Sequence, residues 1–440
     1  MGSKSSLVFP IFILFIVLTN AEDFDITKFG AKPDAEISKA LCDAWTAACS
    51  ATEPSTLIIP SGTFCLNVIE FKGPCKSAIT VQIDGTLKGP EDPNDIPKGV
   101  QWITFSYVSC LTVKGSGTLD GAGGAIAWSM KDPVAWPATD PEKKNVQKCG
   151  LQYVLLLCCP RTDLTKTCWY QTIPSLDDDN NTFNVYEQNL CLNFVENSLI
   201  SGITSKDSKM FHVNVMTCTN VTFDDFHICA PAESPNTDGI HLGWSKQITI
   251  KNSDIKTGDD CISIGDGCED LHIEGVTCGP GHGISVGSLG KNSGEKPVIG
   301  VYVKNCTFTN TMNGVRIKTW PDSHQGEVGN MHFEDLCMDH VENPIIVEQN
   351  YCPHDACSKD KPSLVKVHDV FIKNVKGTGT MPAVVKLICS TANNGCENVE
   401  VSDINLKYEG PEGEPFQECC NVKPVYSGEM IPPGCGSSDH

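Results

Sequence analysis

Basic side chains are scarce in this chain: 33 Lys and Arg stand against 54 Asp and Glu, a formal charge of −21. That balance excludes a nucleic-acid-binding role, which rests on basic surface neutralising phosphates. No apolar run reaches the ~20 residues needed to span a bilayer. The stretch from Leu7 to Leu18 follows Lys4 and precedes Thr19-Asn20-Ala21, so residues 1–21 read as a secretory signal rather than an anchor. Its removal takes away Lys4 and leaves the mature chain at −22, soluble and without a membrane partner. Paired CxxC zinc spacings are missing among the 24 cysteines, which instead fit an oxidising destination where thiols pair with one another. Cys261 with Cys278, and Cys389 with Cys396, would each close a short loop, although connectivity does not follow from spacing. Sequons at Asn180, Asn220 and Asn305 offer glycosylation sites in a secreted chain.

What the chain does have is a repeated phrase. Seven segments share the form apolar-x-apolar-x-(Asn/Asp/Gly), beginning at Val221, Ile248, Leu271, Val301, Met331, Val370 and Val399. Their starts differ by 27, 23, 30, 30, 39 and 29 residues. Period-two alternation marks half-buried strands, and recurrence at twenty to forty residues marks a solenoid. One such unit cannot bury its apolar face alone, so the coils must stack. The Asn, Asp or Gly after each strand suits a bend, because these residues tolerate left-handed backbone. A β-sandwich would also give many short strands, but without one strand-and-bend phrase at this period. The expected fold is all-β, a parallel β-helix, with Ser38 to Ala48 as a short helix capping the open end against edge pairing. No linker divides residues 22–440, which are expected to form a single domain.

Aligning the coils reveals a second column. Ile240, Ile262, Ile284 and Val315 form one inward ladder, and Leu242, Ile264, Val286 and Ile317 another. This register brings Asp238, Asp260 and His282 into one column over three coils, with Asp259 beside them and Arg316 and Lys318 projecting outward from the next. Hydrolysis of a glycosidic bond needs an acid for the leaving oxygen and a base for water. Crowded carboxylates raise at least one pKa, which keeps a proton available. Strict alternation, however, points Asp238 and Asp260 inward and Asp259 outward. All three face a cleft only if each strand begins with a bend there, as Gly239 and Gly258 allow. Each element alone has an ordinary reading, as a solvated turn or a basic strand face; their joint register points to a site. His241 shares the outward row of Arg316 and stays unassigned, while His212 and His272 read as structural or surface residues.

Asn236-Thr237-Asp238, Gly258-Asp259-Asp260, Gly281-His282-Gly283 and Arg316-Ile317-Lys318 resemble, complete and in order, the signature motifs of the polygalacturonase family of glycoside hydrolases. The likeness runs from about Phe24 to the C-terminus and is closest to plant, pollen-type exopolygalacturonases over Lys206 to Trp320 and at Tyr351-Cys352-Pro353. It implies a right-handed parallel β-helix, a secreted enzyme of the cell wall, and inverting hydrolysis of the α-1,4-galacturonan of pectin. It further implies that Asp259 is the general acid, that Asp238 and Asp260 activate water, and that His282 tunes the acid. Arg316 and Lys318 would hold the galacturonate carboxylate, a task to which Arg's planar fork is suited, and Tyr351 would line the sugar site. No metal or other cofactor is implied, and a monomer is expected. An endo-acting enzyme uses the same motifs, and a catalytically silent wall-binding protein would keep the scaffold. A lyase on this fold would call for calcium and a basic residue. One stretch departs from the pattern: 145–188 inserts Tyr153 to Cys159, Cys149, Cys168 and an acidic run, either as a surface loop or as an error of the gene sequence.

Overall fold

A computed structural model describes residues 21–92, 100–124, 156–158, 188–411 and 413–436. The signal segment up to Asn20, Asn180 and almost all of the 145–188 stretch lie outside the described residues. The strands pair parallel and stack into a right-handed β-helix. In the central coils each turn contributes three strands, for example Lys246–Lys251, Asp254–Lys256 and Ile262–Ile264.

The two anticipated columns are both present. Val221, Ile248, Leu271, Val301, Met331, Val370 and Val399 pair in sequence along one sheet. On the third strand of each coil, Ile240, Ile262, Ile284 and Val315 pair as one ladder, which Ile345 and Val385 extend. These side chains are at most 3 % exposed, and each contributes roughly 1.5–3 kcal/mol of transfer free energy when buried. The bend after the first strand is left-handed in every coil of the repeat: Asp225, Asn252, Gly275, Asn305, Asp335, Asn374 and Asp403 all have φ between 51° and 65°. The short middle strands, such as Thr277–Cys278, were not anticipated. In the last coils first and middle strands fuse across the bend, giving Gly326–Val341 and Val365–Gly379.

The helix Ser38–Ser50 covers the N-terminal end, burying Leu41, Ala44 and Trp45. Trp45 packs 4.9 Å from Phe71 and 5.7 Å from Phe105, between ring centroids. Disulfides tie the helix down through Cys49–Cys75 and Cys42–Cys158. Cys158 belongs to Leu156–Cys158, the described part of the unusual stretch, which pairs with Ile69–Phe71 as the end strand of the third-strand sheet. Cys261–Cys278 and Cys389–Cys396 are bonded as their spacing suggested. Among the described residues no helix is long and apolar enough to cross a membrane.

Candidate active site

The third-strand sheet forms a floor, and the turns entering it carry the acidic residues. The strands there begin at Ile240 and Ile262, so Asp238, Asp259 and Asp260 sit in the turns just before them, free of strand alternation. This is the bend that the parity argument required. The turns fit tightly: a Cβ on Gly258 would lie 2.0 Å from the Ser234 carbonyl oxygen, and one on Gly239 2.3 Å from that of Cys261. Beneath them, buried Thr237 receives hydrogen bonds from the Gly258 N–H (3.1 Å) and the Thr257 hydroxyl (2.8 Å). The Cys261–Cys278 disulfide fixes the same turn to the next coil.

The side chains converge. His282 Nδ1 lies 3.0 Å from Asp259 Oδ1, which also accepts the Asp260 N–H at 2.8 Å. Asp260 accepts from Ser285 Oγ (2.7 Å) and Lys318 Nζ (2.8 Å). Asp238 takes a hydrogen bond from Ser263, whose Oγ lies 2.8 Å from His241 Nδ1. Burial, reinforced by the charges of Asp259 and Asp260, pushes the Asp238 carboxyl well above the usual range. Burial works the same way on Asp259, but its hydrogen bond to His282 and that imidazole's charge outweigh it and hold the carboxyl below its ordinary value. Reciprocally, Asp259 overcomes the burial of His282 and raises it, and the attraction of Asp260 overcomes the burial of Lys318 and raises it too. His241 goes the other way, lowered to about 4 by burial and then by Lys318. Asp259, Asp260 and His282 present ligand atoms within 4.8 Å of one another, a spacing a cation could use, although Lys318 competes for Asp260.

Arg316 and Lys318 project from the floor strand Asn313–Thr319, as expected, but neither faces the cleft unpaired. Lys318 is bound to Asp260, and Arg316 forms a close ion pair with Glu348 on the neighbouring strand Asn343–Glu348. Tyr351 lies over both cations, 5.0 Å from Arg316 Cζ and 5.4 Å from Lys318 Nζ to its ring centroid, with Trp320 edge-on at 5.4 Å. Thus all seven residues singled out from the sequence meet around one floor. Sequence reasoning missed Ser263, Ser285 and Glu348. The two serines share the outward parity of Arg316, a signal that was available. Glu348 comes beside Arg316 only once the next coil is laid in register, where its backbone lies opposite Lys318 on the neighbouring strand.

Comparison with known proteins follows the same lines. The sequence profile of glycosyl hydrolases family 28 matches residues 49–149 and 174–429; the gap between them falls inside the atypical 145–188 stretch. A polygalacturonase of Nicotiana tabacum is 44% identical over 441 residues, covering 100% of this chain and 99% of its own. An exopolygalacturonase of Oenothera organensis is 43% identical, covering 91% of this chain and 98% of its own. Among solved structures, the endo-xylogalacturonan hydrolase of Aspergillus tubingensis superposes with a TM-score of 0.67 at 23% identity, covering 91% of this chain and 98% of that one. The exopolygalacturonase of Thermotoga maritima gives 0.66 at 19%, covering 88% and 89%.

Proposed function

The chain belongs to glycosyl hydrolases family 28, and from that membership we propose that it releases galacturonic acid from the ends of α-1,4-galacturonan chains in the plant cell wall. That it is a pectin-degrading glycoside hydrolase follows from the family and from full-length relatives. Action at chain ends draws on the relatives named exopolygalacturonases, at 43% and 40% identity. In this reading residues 22–440 act as one secreted, monomeric catalytic domain after residues 1–21 are removed.

The observation that carries the mechanism is three carboxylates, an imidazole and two cations gathered on neighbouring coils. Asp259 is the general acid: a proton donor must touch the leaving oxygen, and its side chain remains 24% exposed against 3% for Asp260. As the glycosidic C–O bond breaks, Asp259 passes a proton to the departing oxygen; because His282 holds this carboxyl below its ordinary value in the free site, the proton is taken up from solvent before bond cleavage. The water that attacks the anomeric carbon, with inversion, is activated between Asp238 and Asp260, and its one proton goes to the Asp260 carboxylate, which is ion-paired with Lys318. His282 tunes the acid through its 3.0 Å contact. Arg316, steered by Glu348, and Lys318 grip the sugar carboxylate, with Tyr351 lining the ring. A second reading has its own support: the proton-retaining carboxyl of the resting cluster is Asp238, raised by burial and two acidic neighbours, which suits it to be the donor.

Product sizes from purified protein on polygalacturonate test the first claim. Monomer alone supports end-wise release, early mixed oligomers mean internal cleavage, and an unsaturated product means elimination. The first anomer seen by NMR tests inversion. Comparing Asp259→Asn with Asp238→Asn on a substrate whose leaving group needs no protonation identifies the donor, because only the donor variant is rescued.

A further inference from the structure

Most left-handed bends of this β-helix use Asn, Asp or Gly, the residues that adopt that conformation at least cost. One column breaks the pattern. At the bend leaving the floor strands, Tyr107 (φ 57°), Phe194 (φ 54°) and Trp244 (φ 52°) occupy it, with Thr217 (φ 56°) in the coil between Phe194 and Trp244. Bulky side chains are strained there, and all three aromatics are exposed, by 47%, 38% and 45%. Bend chemistry does not account for them.

Their arrangement points to a ligand. Tyr107 and Phe194 stack 4.8 Å apart and 3° from parallel, so their rings lie across the solenoid axis like rungs. Lys72 closes the far end, its ammonium 5.7 Å from the Tyr107 centroid. At the near end the Trp244 indole leans on the next coil, where a Cβ on Gly267 would come within 3.3 Å of it. Between Phe194 and Trp244 stand two coil steps, about 9.6 Å at ~4.8 Å per step, over small Thr217. Two van der Waals contacts of ~4 Å leave room in that span for one sugar ring. Sugar rings present apolar C–H faces to aromatics, and a uronate adds a carboxylate for Lys72. The column also borders the same floor strands that carry the catalytic turns, Trp244 following directly on Ile240–Gly243.

We propose that the Tyr107–Phe194–Trp244 column is an accessory binding site for a galacturonan chain, outside the catalytic centre. It holds a segment of polymer along the N-terminal coils and raises the local concentration of substrate at the site. This rests on the galacturonan reading above.

The test uses the mature protein silenced by Asp259→Asn, with and without Phe194→Asn and Trp244→Asn, titrated with long polygalacturonate and with trigalacturonate. Loss of roughly tenfold in affinity for the long chain, about 1.4 kcal/mol, with the trimer bound as before, is expected. The melting temperature should not fall, because Asn suits the left-handed bend. Unchanged long-chain affinity, equal losses on both lengths, or a marked drop in melting temperature overturns the proposal. So does a concentration-dependent dimer in sedimentation that the substitutions abolish, since the column would then be a contact between copies. Failure of the unsubstituted enzyme to cut polygalacturonate overturns the underlying reading instead, and is seen in a separate assay.

Discussion

Two bends in each coil draw on the same acidic and amide residues and put them to opposite uses. After the first strand, residues such as Asp225 and Asn252 stand exposed, and their neighbours link coil to coil: Asn252 donates to Asp224 at 2.9 Å and Asn374 to Asp335 at 2.7 Å. Before the floor strand, Asp238 and Asp260 are 7% and 2% exposed and crowd against Asp259. The first bend is a matter of backbone geometry. The second is a matter of charge held out of water, and burial is what separates them.

The largest effect expected from breaking that contrast is at Asp259. Asp259→Asn should lower kcat on polygalacturonate by about 10³-fold or more, measured as reducing-sugar release, with only a modest fall in melting temperature at neutral pH from the lost ion pair with His282. Next comes Lys318→Met, which strands the Asp260 carboxylate in the interior beside Asp238. Removing one partner of a buried pair costs about 3–5 kcal/mol, and denaturant titration at neutral pH should show it. Removing both cysteines of the Cys261–Cys278 bond should cost about 3 kcal/mol for a loop of 17 residues, and activity should fall along with stability because the catalytic turn loses its tie.

Smaller still is the pH response. Asp238 has a folded pKa above its unfolded value, so the folded state holds the proton more tightly. Its contribution to stability is therefore lost as pH rises from about 4 toward that folded pKa. The raised His282 acts in the same direction from about 6.5 upward, while the lowered Asp259 acts oppositely, its contribution fading as pH falls below about 4. Calorimetry of Asp238→Asn should show a melting temperature that gains most over the unsubstituted enzyme near pH 7 and least near pH 4. At the bottom of the scale, Asp225→Asn at the exposed bend should shift stability by no more than about 0.5 kcal/mol and leave turnover within error. A large effect there would erase the distinction between the two bends.

Much of this architecture was legible because parallel coils repeat a physical requirement. Val221 through Val399 had to alternate and recur, and the left-handed residue after each had to be Asn, Asp or Gly. The floor ladder of Ile240, Ile262, Ile284 and Val315 followed from the same rule, and with it the meeting of Asp238, Asp259, Asp260, His282, Arg316 and Lys318. Tyr351 came only from family resemblance. The middle strands escaped notice because two or three residues, as in Thr277–Cys278, carry no periodicity. Glu348 was invisible for another reason: its partner Arg316 lies 32 residues away, and an ion pair leaves no local pattern. The aromatic bends at Tyr107, Phe194 and Trp244 ran against the turn chemistry that sequence reading relies on.

The helix over the first coil has a consequence for the molecule's company rather than its chemistry. A solenoid with two bare ends is a growing tip, since the top rung of one copy offers the ladder that the bottom rung of the next is missing. Among the described residues the last coil still shows such a face, with Phe416, Val425 and Ile431 exposed. Plugging only the opposite end suffices, because head-to-tail growth needs both. A chain lacking residues 38–50 would thus be expected to trade a discrete particle for filaments.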